Sequence, residues 1–183
     1  MKKVFVGMSG GVDSSVAAAL LKQATPNNFG KLFGRPTPKG FRGYDVTGIH
    51  LRCWNVDGCA EQDAEDARRA AEALGIPFYT FDFEQEYRDR VVGYMVEGYR
   101  SGITPNPDVA CNREIKFGLF LEKALSMGAD YVATGHYVKL KTKNLKLKTY
   151  SLYQAKDTNK DQSYFLWTLT QAQLRHCLFP IGG

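Results

Sequence analysis

Short apolar runs alternate with longer amphipathic ones over residues 1–135. Residues 3–7 are mostly apolar and end on a glycine, which predicts a buried strand. The Ala- and Ser-rich run 13–21, after Gly10-Gly11, predicts a helix. Residues 45–51 predict a second strand, 61–74 a helix stopped by Gly75 and Pro77, and 78–83 a third strand. The run 84–100 predicts a helix with Tyr87, Val91, Tyr94, Met95 and Gly98 on or near one face. After a Pro/Asn/Gly loop over 101–108, residues 113–127 predict a helix closed by Gly128, and 129–134 a fourth strand. Strands alternating with helices of this length give βαβ units, hence an α/β fold with a parallel sheet and helices on both faces. The rhythm then changes. Residues 138–147 and 151–155 alternate like an antiparallel ribbon, and 162–174 reads as helical. Residues 26–43 stand apart, rich in Pro and Gly with only basic charges, and read as a loop or insertion.

Composition narrows the class. A chain of 183 residues suggests one domain, or one domain and a piece of another. A hydrophobic fraction of 44% with 13% aromatics excludes a disordered tail. No apolar run is long enough to span a membrane, and the run before Gly7 is too short for a signal peptide, so a cytoplasmic location is expected. The net charge of +5 is local: lysines 139, 141, 143, 146 and 148 carry it without an acid among them. Such a cluster is either a solvated hairpin or a surface that meets phosphates. Cys53, Cys59, Cys111 and Cys177 form no C-x-x-C pair, which argues against a zinc site or a disulfide framework and for free thiols.

Two strings carry candidate chemistry. Gly7-Met8-Ser9-Gly10-Gly11-Val12-Asp13-Ser14-Ser15 lies between the first strand and the first helix. In a parallel sheet ligands bind beyond the carboxyl ends of strands. Adjacent glycines let backbone amides approach an anion, the helix start adds its dipole, and Ser9, Ser14 and Ser15 can donate. The string suits a pyrophosphate. It is neither a Walker loop nor the dinucleotide fingerprint. The second string, Thr104-Pro105-Asn106-Pro107-Asp108-Val109-Ala110-Cys111-Asn112, precedes a helix. A thiol near a helix start has its thiolate favoured by the dipole, and Arg113 and Lys116 would favour it further. Asp108 would oppose this and suits proton handling. Taken alone, the same pair reads more readily as a small buried hydrophobe and an N-cap.

The first string resembles the signature of the N-type ATP pyrophosphatases, the PP-loop enzymes, which cleave ATP to AMP and pyrophosphate while adenylating an acceptor oxygen. Together with Thr134-Gly135-His136-Tyr137 and residues 159–166, the two strings resemble the tRNA-specific 2-thiouridylases over the whole chain except 26–43. The resemblance implies a Rossmann-like, adenine nucleotide alpha-hydrolase-like sheet over 1–137, with 138–183 the start of a central tRNA-contacting region. It implies that Gly7, Met8, Ser9, Gly10, Gly11, Val12, Asp13 and Ser14 hold ATP phosphates with Mg²⁺, while Leu51 meets adenine through its backbone and Gly135 lines the nucleotide. Asn106, Pro107 and Asp108 would meet the target base, Cys111 would be the nucleophile and Asp108 its acid/base, and Lys160, Asp161 and Gln162 would contact tRNA. The implied reaction replaces the C2 oxygen of the wobble uridine of tRNAs for Lys, Glu and Gln with sulfur. That sulfur comes from a cysteine persulfide loaded by a sulfur-carrier protein, and two cysteines end as a disulfide. The family's second cysteine, in a Ser-Thr-Gly-Ile-Cys string, and its C-terminal β-barrel would lie beyond this chain, and Cys177 does not take that role. Alternatives are another PP-loop adenylating ligase, which has no need of Cys111, or a non-catalytic tRNA- or nucleotide-binding fragment. His136 reads as a hydrogen-bonded strand-end residue or a nucleotide contact. Cys53 and Cys59 read as non-catalytic, and Tyr94, Tyr99, Phe117 and Phe120 as core.

Overall fold

A computed structural model describes residues 1–33, 36–37, 39–54, 59–144, 149–157 and 159–183. Lys146 and Lys148 of the lysine cluster, and residues 34, 35 and 38 of the insertion, lie outside the described residues.

The apolar run of β1 (Lys2–Gly7) divides its side chains between two cores. Val4 and Val6 pack on one face with Ala18, Leu21, Ala67 and Ala71. Phe5 packs on the other with Ile49, Phe81, Ile115 and Phe120. A strand buried on both faces belongs in the middle of a parallel sheet. β1 indeed pairs in parallel with β2 (Tyr44–Arg52) on one side and β4 (Tyr131–Ala133) on the other. β3 (Phe78–Asp82) extends the sheet beyond β2. The far edge is a strand that sequence reading did not find, Cys177–Leu178, parallel to β4; it is numbered β7, after the ribbon strands β5 (Val138–Asn144) and β6 (Thr149–Gln154). The sheet order β3-β2-β1-β4-β7 reverses direction between β1 and β4. At such a switch point the loops leaving the two strands diverge and open a crevice at their carboxyl ends.

α1 (Val12–Lys22) and α3 (Cys59–Ala73) cover one face of the sheet. Two longer helices cover the other. α4 spans 84–100 without a break, as Glu84–Tyr87, a π-wound stretch Arg88–Val92, and Gly93–Arg100. α5 spans 107–126, as Pro107–Cys111, a π-wound Asn112–Leu119, and Phe120–Ser126. A Cβ at Gly118 would lie 2.8 Å from the Arg113 carbonyl oxygen, so glycine is what lets the wider turn close there.

Several expectations are corrected. The helix expected from 113 begins at 107, because Pro107 occupies its first position and Asn106 caps it. The insertion 26–43 is not wholly loop. It contains α2 (Phe29–Phe33), whose Phe29 and Phe33 pack with Phe41 and Tyr44 at centroid distances of 4.7–6.2 Å. That aromatic group sits on the first residues of β2 and β4, Tyr44 and Tyr131, at the end of the sheet opposite the crevice. The helix expected over 162–174 is a 3-10 turn, Ser163–Phe165, followed by the short α6 (Gln171–Leu174), which Thr170 and Gln173 start with a capping box. Phe117 and Phe120 are core, whereas Tyr94 and Tyr99 are exposed. β5 and β6 pair antiparallel as the ribbon pattern predicts, with Lys141 and Lys143 exposed on it. Among the described residues no helix is long and apolar enough to cross a membrane.

Candidate active site

The crevice is a cavity of about 590 Å³, lined by the β1 exit loop, the ends of β2 and β4, and the start of α5. That volume suits a nucleotide-sized ligand. Each wall has a local reason for its shape.

The loop after β1 is drawn tight. Gly10 has φ of +82°, and a Cβ there would lie 2.7 Å from the Asp63 carbonyl oxygen. Gly11 is the N-cap of α1, and no side chain caps that helix, so its first amides keep donor capacity for an anion. The loop is braced internally: Ser9 N–H donates to Ser14 Oγ (3.2 Å), while the Ser14 and Ser15 hydroxyls both donate to the Gly11 carbonyl (3.0 Å each). Ser14 and Ser15 therefore serve the loop rather than offering free hydroxyls. Gly135 closes the opposite side. A Cβ on it would stand 2.8 Å from both Asp13 C and Ser14 N, so the β4 exit runs directly against the first turn of α1.

Of the residues singled out in the sequence, Gly7, Met8, Ser9, Asp13, Ser14, Leu51, Cys111, Gly135 and Gln162 line this one cavity. Gly10, Gly11 and Val12 complete the loop between them. Asn106 accepts from the Asp108 and Val109 amides, Pro107 follows it, and Asp108 is exposed one turn before Cys111. Lys160 and Asp161 stand outside the wall, Lys160 on Asp13 and Asp161 on Ser163 and Gln154.

The thiols differ from expectation. Cys111 closes the first α-helical segment of α5 instead of preceding it, and burial pushes its pKa up; Lys116 pulls down and Asp108 pushes up. The helix dipole does not leave a thiolate here. Cys53, read from sequence as non-catalytic, lines the same cavity, and burial, with Cys111 second, pushes it up to about 12. Lys116 lines the cavity too, while Arg113 is engaged with Glu114 at 2.7 Å.

Sequence reading missed His50. It lies in β2 at 5% exposure with its Nδ1 hydrogen-bonded to the Met8 carbonyl (3.2 Å). Since a carbonyl only accepts, Nδ1 carries the proton. Nε2 is then an acceptor, and it has no partner. The available signal was a polar residue flanked by Ile49 and Leu51 in a strand that runs through the core. This orphaned acceptor, the uncapped helix start and the glycine-lined walls fit a phosphorylated nucleoside. No group of three or more His, Cys, Asp or Glu among the described residues could hold a metal ion. A divalent cation held here would take most of its ligands from phosphate oxygens and water.

His136 is packed between Phe117 and Phe179, with Nδ1 hydrogen-bonded to Thr134 Oγ1 (2.8 Å). Burial holds it neutral, lowering its pKa to about 3. In the unfolded chain it titrates near 6.5, so the folded state binds fewer protons between those values. Its contribution to stability is complete above pH 6.5 and is withdrawn as pH falls towards 3. Lowering the pH from 7 to 5 should remove about 2 kcal/mol through this residue. Urea midpoints of the wild type and of His136→Asn at the two pH values check this: the variant should lose less.

A five-stranded parallel sheet with a glycine-rich loop at its switch point defines a Rossmann-like α/β protein. The family model described as the tRNA methyl transferase HUP domain matches residues 2–34 and 40–183, and the chain belongs to that family. A tRNA-specific 2-thiouridylase MnmA of Flavobacterium johnsoniae is 48% identical over 191 residues, covering 100% of this chain and 44% of that protein. The tRNA-specific 2-thiouridylase MnmA 1 of Geobacillus kaustophilus is 49% identical over 186 residues, covering 99% of this chain and 45% of that protein. The chain spans less than half the length of these relatives. Among solved structures, that of a predicted subunit of tRNA methyltransferase from Methanocaldococcus jannaschii aligns with a TM-score of 0.53 at 14% identity, covering 100% of this chain and 69% of the other. At that identity the likeness is one of fold.

Proposed function

We propose that this chain is the ATP-dependent part of a tRNA 2-thiouridylase, acting on the wobble uridine. The observation that carries the reading is that the phosphate-type loop and Cys111 open into one cavity. The names of the relatives support the substrate class.

A pyrimidine C2 oxygen is a poor leaving group, and bonding it to AMP makes it a good one. In this reading the loop from Gly7 to Ser14 orients the triphosphate so that its α-phosphorus faces the uridine oxygen. The amides of α1 take up charge as pyrophosphate departs. Mg²⁺ accompanies the phosphates. The Leu51 backbone and Gly135 bound the nucleoside, and Asn106, Pro107 and Asp108 meet the base. The outer sulfur of a cysteine persulfide then attacks C2 and AMP leaves, and the second thiol attacks the persulfide's inner sulfur, so that the S–S bond to the base breaks and 2-thiouridine departs. Cys111 takes part as one of two thiols that finish as a disulfide, with Asp108 handling its proton. Residues 1–137 form the catalytic unit in this reading, and 138–183 begin the tRNA-contacting region. A sulfur-carrier protein supplies the persulfide, the acceptors are tRNAs for Lys, Glu and Gln, and the setting is cytoplasmic.

ATP–pyrophosphate exchange tests the proposal. The full-length protein should exchange label between pyrophosphate and ATP only with a tRNA bearing wobble uridine. Exchange that needs a small-molecule acceptor instead, or no exchange at all, would overturn it.

A further inference from the structure

The acid of the phosphate loop is already engaged. Asp13 Oδ2 accepts from Lys160 Nζ at 2.7 Å, and Asp13 Oδ1 accepts from the Tyr137 hydroxyl at 3.0 Å. The Lys160 ammonium also lies 4.6 Å above the Tyr137 ring. The segment bearing Lys160 is tied down beside it: Gln162 Oε1 accepts from the Tyr137 amide (3.0 Å), and Asp161 accepts from the Ser163 amide and hydroxyl (3.0 and 2.9 Å). A strand-ribbon excursion thus brings a lysine back across the whole chain onto the first turn of α1.

The placement has an electrostatic meaning. Asp13 lines the cavity, and a bare carboxylate there repels any polyphosphate seated on the same helix start. An ion pair with side chains 47% and 37% exposed adds little to the stability of the fold. Its effect is on the field inside the crevice, where one added positive charge turns a repulsive wall neutral.

We propose that Lys160 is a nucleotide-site residue, whose ammonium cancels Asp13 and so lets the phosphate loop accept a triphosphate. This rests on the ATP-dependent reading and deepens it: the residue that the sequence resemblance assigns to RNA contact sets the affinity for the phosphorylated substrate. The hydrogen bonds of Asp13 agree, since Lys160 first and then Tyr137 hold its carboxyl below the usual carboxylate range.

The test is calorimetric titration of the chain with Mg·ATP and, separately, with an anticodon stem-loop RNA. Lys160→Ala should weaken Mg·ATP about tenfold, the scale of one unit charge a few ångströms from a phosphate in a half-exposed site. Asp13→Asn added to Lys160→Ala should recover most of that loss, and Lys160→Arg should show little of it. Lys160 is half exposed, and unchanged thermal midpoints would confirm that the variants fold. Wild-type Mg·ATP affinity in Lys160→Ala, with stem-loop affinity alone reduced, would overturn the proposal and leave Lys160 to RNA. A loss that Asp13→Asn does not recover would also overturn it. Failure of the wild-type chain to bind Mg·ATP at all would instead overturn the ATP-dependent reading on which it rests.

Discussion

Cys111→Ser is expected to lower thiolation by the full-length protein at least about a thousandfold while leaving Mg·ATP affinity within about twofold. The asymmetry follows from where the residue sits. Its backbone belongs to α5, across the cavity from the phosphate loop, so the nucleotide does not depend on the sulfur. Serine matches the thiol in shape but cannot carry or exchange sulfur. Because burial raises the pKa of Cys111, the free thiol is protonated at neutral pH. Its alkylation by iodoacetamide, followed by peptide mass spectrometry, should therefore keep rising as the pH passes 9. Lys116→Ala should push that rise to higher pH, since Lys116 is the group that pulls the value down. Thiolation retained in Cys111→Ser would mean that the sulfur passes elsewhere.

Gly135→Ala should damage both stability and nucleotide binding. The new methyl group would lie 2.8 Å from Asp13 C and Ser14 N and 3.0 Å from the Asp13 carbonyl oxygen. All three are backbone atoms, so no side chain can swing aside, and the β4 exit must part from the first turn of α1. Overpacking of this kind costs about 1–3 kcal/mol. For a domain of this size that corresponds to a Tm lower by roughly 3–10 °C. The same separation opens the phosphate loop, so Mg·ATP binding should be lost at temperatures where the variant is still folded. Gly11→Ala is the control. Its methyl would meet only Ser9 Oγ, at 3.6 Å, and should change Tm by less than about 1 °C.

How much could be read without coordinates depended on the kind of signal. The edge strand β3, with Tyr79, Thr80 and Asp82 exposed, was legible from Gly75 and Pro77 before it, and the central β1 because both-face burial writes an unbroken apolar run, Val4-Phe5-Val6. The crevice was legible for the same reason, since a glycine pair between such a run and a helix marks the switch point. Asn106-Pro107 was harder. The same Pro- and Asn-rich string that punctuates a loop also starts a helix, and only the capping geometry decides. The two-residue β7 carries no periodicity, and α2 is hidden among prolines and glycines, its reason for existing being the rings of Phe41, Tyr44 and Tyr131, to which its own Phe29 and Phe33 add. Charges were the least legible. The sequence shows that Cys111 has a lysine nearby, but burial, which outweighs it, appears only when the chain is folded. Likewise nothing local to Lys160 points to Asp13.

The pairing of β7 with β4 bears on how the molecule is made. Until residues 177 and 178 emerge from the ribosome, β4 presents a bare row of amides and carbonyls along one side. A nascent chain stalled in the stretch 134–176 would hold a nearly finished sheet with a sticky flank, the kind of species that joins wrongly with its neighbours.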